Sequence, residues 1–185
     1  MLKGEKVILR AITRDDMARF DEFGNDVEFA ILEGNVPWTP TSLERRLARF
    51  EEELHRDPPT DRVGFAVEAD GKLIGRIGLR DIDRVSGTAE LGVAIGDREY
   101  WGRGYGRDAV RVLLRYAFLM QNLNRVWLRT GSSNERAIRC YRACGFVQEG
   151  ILRQHDWSYG GRCDVVCMGI LRDEWEDGPN PRPLP

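Results

Sequence analysis

Glu90-Leu-Gly-Val-Ala-Ile-Gly-Asp-Arg-Glu-Tyr-Trp-Gly-Arg-Gly-Tyr-Gly106 is the stretch whose reading decides the fold. Its first half is rich in apolar residues and reads as a strand. Its second half is a glycine-rich loop that opens a helix. Gly102, Gly104 and Gly106 take every second position, just where helix N–H groups lack partners. Missing side chains let those amides close on an anion, and the helix dipole adds partial positive charge. Arg103 and Arg107 lie beside them, so the loop suits a pyrophosphate better than a turn that needs glycine only for its dihedrals. The spacing is not G-x-G-x-x-G, and no Lys-Ser/Thr follows to complete a P-loop, which argues against dinucleotide-binding and nucleotide-hydrolysing folds.

The flanks supply the remaining elements. Lys6–Ala11 reads as a first strand. Thr13-Arg-Asp-Asp16 offers a cap with acids in the first turn of a helix running to about Phe23. Residues 25–40, with Gly34, Pro37 and Pro40, read as a loop or broken helix. Thr41-Ser-Leu-Glu44 is a capping box opening a helix to about His55. Strands follow at Val63–Ala69, Lys72–Asp81 and Thr88–Ile95, the first two joined by an Asp70-Gly71 turn. Val110, Leu113, Leu114 and Ala117 give helical period to Tyr105–Gln121, with Arg107, Arg111 and Arg115 as a polar row. A strand at Val126–Thr130, a helix at Asn134–Cys144 ended by Gly145, and strands at Phe146–Trp157 and Arg162–Leu171 about a Tyr159-Gly-Gly161 turn complete the order. The order implies an α/β (mixed α+β) architecture: one mixed, mostly antiparallel sheet with a parallel strand pair and helices on both faces. Residues 1–175 form a single domain, and 176–185 is a polar, proline-rich stretch expected to be a flexible tail.

Composition narrows the function classes. The 185 residues are 42% hydrophobic and 31% charged with a net charge of −2, an ordinary globular balance with no pull toward nucleic acid or an anionic membrane. Lys3, Lys6 and Lys72 are the only lysines among 28 basic residues, a compositional habit more simply than a phosphate-binding device. No apolar signal segment opens the chain, and the most apolar stretch is too short to span a bilayer, so a cytoplasmic location with reduced thiols is expected. Cys163 and Cys167 on a strand would place their sulfurs roughly 13 Å apart. No metal is therefore expected, and the four cysteines read as small buried core residues.

With both motifs in view, the chain resembles the GNAT acetyltransferase superfamily. Trp101-Gly-Arg-Gly-Tyr-Gly106 is similar to its acetyl-CoA pyrophosphate loop, with Trp101 standing where the general pattern has Gln or Arg. Asn134-Glu-Arg-Ala-Ile-Arg-Cys-Tyr141 with Gly145-Phe146 resembles its second hallmark. The resemblance spans Leu2–Trp175 and points to the branch of ribosomal-protein N-terminal and spermidine acetyltransferases. It implies acetyl-CoA as co-substrate, an amine acceptor and direct attack in a ternary complex, and it admits a homodimer. It also implies that the parallel strands splay apart, that pantetheine pairs with Val93, Ala94 and Ile95, and that Trp101, Gly102, Arg103, Gly104, Tyr105, Gly106, Asn134 and Arg136 line the cofactor.

Several residues carry two readings. Ser132-Ser-Asn-Glu135 forms a capping box that would free the Asn134 amide for pantetheine, although Asn134 could itself be the cap. Tyr141 is either the general acid that reprotonates the leaving thiolate or a core aromatic. Glu90 matches the position of a glutamate base, or is an exposed strand residue. His155 and Asp156 form a second candidate for the base. The acceptor pocket is expected from Phe29–Trp38 and His155–Gly161. Polyamine, aminoglycoside and amino-acid acceptors stay open, as does a CoA-binding regulatory module without turnover.

Overall fold

The computed structural model describes residues 1–34, 37–158 and 160–175. The expected tail at 176–185, and Asn35, Val36 and Tyr159 of the expected acceptor loops, lie outside them. In chain order the elements are β1 (Leu2–Lys3), β2 (Ile8–Arg10), α1 (Asp16–Asn25), α2 (Val27–Leu32), α3 (Leu43–Leu54), β3 (Val63–Ala69), β4 (Lys72–Asp83), β5 (Thr88–Ile95), α4 (Tyr105–Arg115), β6 (Arg125–Gly131), α5 (Glu135–Arg142), β7 (Val147–Ser158) and β8 (Gly161–Leu171).

The strands form one eight-stranded sheet in the order β1-β2-β3-β4-β5-β6-β8-β7. Every pair is antiparallel except β5–β6. Alternation divides the two faces. Ile77 and Leu79 of β4, Leu91 of β5 and Val126 and Leu128 of β6 are buried in the main core. The buried face of α4, including Val110, Leu113 and Leu114, shares that core. Burying one such aliphatic side chain stabilises by about 1.5–3 kcal/mol. The opposite face carries Arg76, Gly78 and Arg80 of β4 beside Ala94, Gly92 and Glu90 of β5. There α1 and α2 cover one end: Asp16 binds Arg10 through both carboxylate oxygens, and Glu33 pairs with Arg76.

Some elements differ from expectation for local reasons. Thr13 does not cap α1; instead the buried Asp16 carboxylate accepts from Thr13 N and Oγ1 at 2.7 and 3.1 Å while pairing with Arg10. The helix expected to run to Gln121 is α-helical only to Arg115, then widens into a π-helical turn at Tyr116–Met120, with Gln121 N–H reaching Tyr116 O. The first strand shrinks to three residues, because the chain before it turns to accommodate β1. That turn is held from α4, whose Asp108 carboxylate accepts from the backbone N–H of Glu5, Lys6 and Val7 at 3.1, 2.7 and 3.0 Å.

Candidate active site

The site grows from the parallel pair. Thr88, Ala89 and Glu90 of β5 pair with Arg125, Val126 and Trp127 of β6, and pairing stops there. From Leu91 to Ile95, β5 continues to pair with β4, so only its β6-facing edge is open. Unpaired backbone N–H and C=O groups on a strand edge are ready to take an extended ligand. The expected splay at Val93, Ala94 and Ile95 is thus present in the backbone.

Past the free edge, the loop is tied back to the strand by Trp101, whose indole Nε1 donates to Ile95 O at 2.6 Å. The Arg136 guanidinium of α5 lies over the Trp101 ring at 3.5 Å, and Arg98 approaches it at 5.5 Å. Gly102 and Gly104 adopt φ of +71° and +89°, a region that side chains rarely enter. A Cβ on Gly102 would meet nothing within 4 Å, so the amides here border open space. Gly104 is the N-cap of α4, and Gly106 lies within its first turn. Tyr105 packs edge-on against Tyr100, with Lys6 above its ring, and Arg103 donates back to Glu99 O at 3.1 Å. This arrangement suits a diphosphate: free amides at a helix N-terminus, bordered by cations.

On α5, Asn134 is the N-cap itself, its Oδ1 accepting from Ala137 N–H at 3.2 Å. The cap expected at Ser132 is displaced because residues 132–134 form the turn that leaves β6. Only the amide's NH₂ end therefore remains for a ligand. Tyr141 sits two turns on, its ring buried and edge-packed against Phe146. Burial pushes the phenol well above its ordinary value, and proximity to Cys140 and Cys144 adds to this. The group therefore stays protonated through the physiological range. The four cysteines are half-buried instead of fully buried. Among them, Cys144 Sγ donates to Arg107 O at 3.7 Å, linking α5 to α4.

Glu90 is neither exposed nor poised as a base. Its side chain is 1% exposed and lies between two guanidiniums. Arg80 Nε and Nη2 donate to it at 2.8 and 2.9 Å, and Arg129 Nε at 3.3 Å. Burial would raise its pKa, but hydrogen bonds and charge from Arg80 and Arg129 outweigh this and hold it below the ordinary glutamate value. A carboxylate so committed has little affinity for an amine's proton. His155 stands half-exposed on β7, 3.9 Å from Asp156. Arg80, Arg129 and Trp127 were not singled out from the sequence, although charge recurring at every fourth residue of β4 (Lys72, Arg76, Arg80) was available as a signal.

The acetyltransferase (GNAT) domain model matches residues 6–147. The chain belongs to the GNAT acetyltransferases. Among its relatives, the spermidine N(1)-acetyltransferase of Vibrio cholerae is 26% identical over 170 residues, spanning 92% of this chain and 95% of that protein. The N-alpha-acetyltransferase RimI of Mycobacterium tuberculosis is 31% identical over 152 residues, covering 82% and 85%. The crystal structure of the Vibrio cholerae spermidine N-acetyltransferase in complex with CoA and spermine superposes with a TM-score of 0.82 at 27% identity, covering 92% and 98%. The chain is an acetyl-CoA-dependent N-acetyltransferase with a GNAT sheet. Among the described residues no group of His, Cys, Asp and Glu could hold a metal ion, and no helix is long and apolar enough to cross a membrane.

Proposed function

We propose that this GNAT enzyme acetylates a primary amine by direct attack on acetyl-CoA in a ternary complex, using Tyr141 as the general acid. The reading rests chiefly on one observation: β5 loses its β6 partner immediately after Glu90, along the stretch leading to the left-handed Gly102–Gly104 loop. The loop amides, with Arg103 and Arg136, hold the diphosphate. The free edge at Val93–Ile95 takes the pantetheine arm and offers N–H groups to polarise the thioester carbonyl. The Asn134 NH₂ end steadies the same arm. The amine nitrogen forms the new bond to the carbonyl carbon, the carbon–sulfur bond breaks, the thiolate takes the Tyr141 proton, and a proton from solvent restores the phenol. The amine's own proton passes to solvent, since Glu90 is occupied.

Thiol release from acetyl-CoA with a panel of amines tests this. The expected result is amine-dependent release, together with weaker calorimetric binding of dephospho-CoA and much weaker binding of pantetheine. Equal affinity for all three would remove the loop's phosphate role, and release independent of amine would remove the transfer reading.

A further inference from the structure

Glu90 raises a question that acetyl transfer alone does not answer. Burying a carboxylate and pairing it with arginines is no more stabilising than a well-packed apolar contact, so a sheet gains little from such a cluster. What it does gain is two fixed guanidiniums. Arg80 lies directly opposite Glu90 on β4, and Arg129 reaches it from β6 across the line where the strands part.

Both cations keep donors to spare. Glu90 uses Nε and Nη2 of Arg80 but only Nε of Arg129. Among the described residues, Arg129 Nη1 and Nη2 and Arg80 Nη1 take no hydrogen-bond acceptor. The side chains are 59% exposed for Arg80 and 42% for Arg129. Arg129 also lies over the Trp127 ring at 5.6 Å, which limits its swing. Two charges against one leave the cluster a net cation with a planar fork open to solvent, the geometry that binds a carboxylate bidentately.

The approach is open at Gly92. Gly64, Gly78 and Gly92 stand side by side across β3, β4 and β5, on the face that carries Arg80 and Glu90. A Cβ on Gly92 would meet nothing within 4 Å, so the floor between the cations and the free edge is open. Each two-residue step along β5 is roughly 7 Å. From Glu90 past Gly92 to Val93 and Ala94 is thus roughly 10–13 Å, far longer than glycine and nearer to the reach of an extended ω-amino acid.

Four carboxylates near this face are paired: Glu33 with Arg76, Asp26 and Glu28 with Arg98, and Glu68 with Arg10. A polycation would meet the fixed positive charge of Arg80 and Arg129 here.

Resting on the acetyl-transfer reading above, we infer that the acceptor is an amine that also bears a carboxylate, held by the Arg80–Arg129 fork, and not a polyamine. Glu90 is the positioning residue that sets the fork. The test uses ω-amino acids of increasing length from glycine to 6-aminohexanoate, their carboxamides, and spermidine, each with saturating acetyl-CoA. The best carboxylate is expected to exceed its carboxamide at least 10-fold in kcat/KM, mainly through KM, and to exceed spermidine. Arg129→Gln should bring that ratio close to 1, whereas Arg129→Lys should retain part of it. A ratio of 1 in the wild type, or spermidine as the best substrate, overturns the carboxylate assignment and leaves acetyl transfer standing. Release of thiol with no amine acetylated overturns the transfer reading itself.

Discussion

Arg129 Nε and Glu90 Oε1 lie 3.3 Å apart across the point where β5 and β6 stop pairing, so one hydrogen bond closes the base of the candidate cleft. Glu90 belongs to the last rung shared by β5 and β6, and Arg129 extends from the stretch of β6 that pairs only with β8. The bond ties the two walls at the depth where the pantetheine arm would end its descent. The same carboxylate is held from the β4 side by Arg80, so strands β4, β5 and β6 meet on a single charged group.

Removing that charge while keeping its shape should be felt in stability. Glu90→Gln leaves two guanidiniums facing a neutral amide in place of a carboxylate, at a cost of about 1–3 kcal/mol. The folded-state pKa of Glu90 lies below the ordinary value, so its contribution is present above the unfolded pKa and is lost as pH falls through the folded one. Urea denaturation should therefore show a gap between wild type and variant that is constant above about pH 5 and closes under acid. A gap that widened under acid would contradict the ion-pair assignment.

The phosphate loop makes a separate prediction at two glycines. Gly104→Val asks a β-branched residue to hold φ of +89° at the cap of α4, which costs about 1–2 kcal/mol or more and displaces the loop amides. Gly102→Ala adds only a methyl in open space at φ of +71°, where the diphosphate would lie. Both should weaken CoA binding in calorimetry. The Gly102 variant should do so with the smaller loss of melting temperature, and unchanged affinity in both would remove the loop from the CoA site.

Asp108 links this loop to the start of the chain, because its carboxylate collects three backbone N–H groups from Glu5, Lys6 and Val7. Asp108→Ala leaves those donors to water and frees the β1–β2 turn. The expected effect is destabilisation of about 1.5–3 kcal/mol, seen as a lower melting temperature and faster amide exchange at residues 2–9. Exchange that is unchanged there would show that the short ribbon holds without the tether.

Much of this architecture was legible beforehand because it rests on local patterns. Val63–Ala69 and Thr88–Ile95 are runs rich in apolar residues bounded by turn residues, and the structure returns both with those limits. Gly145 ends α5 at φ of +94°, as a C-cap glycine should. What the sequence did not disclose depends on partners distant along the chain. Glu90 reads alike as base, surface residue or ion-pair anchor until Arg80 and Arg129 are placed beside it. Asp16 looks like a helix-dipole residue until Arg10 is seen to claim it. Two caps in a row at Ser132 and Asn134 differ only in how β6 turns out of the sheet, which no spacing rule decides.

The catalytic assignments are separated by two pH–rate profiles. Tyr141→Phe removes the proton donor and keeps the buried ring against Phe146, so turnover should fall by roughly 10- to 1,000-fold with CoA affinity little changed. Unchanged turnover would make Tyr141 a packing residue. Glu90→Gln supplies the complementary case. A true base matters least at high pH, where free amine is abundant, so loss of one depresses activity mainly at low pH. Glu90 is instead ionised across the working range and engaged by two arginines. Its loss should loosen the fork equally at every pH, raising the acceptor KM by a constant factor while leaving the shape of the profile intact. A variant that recovered wild-type rates at high pH would restore Glu90 as the base, and would mean that the Arg80 and Arg129 contacts open when the acceptor binds.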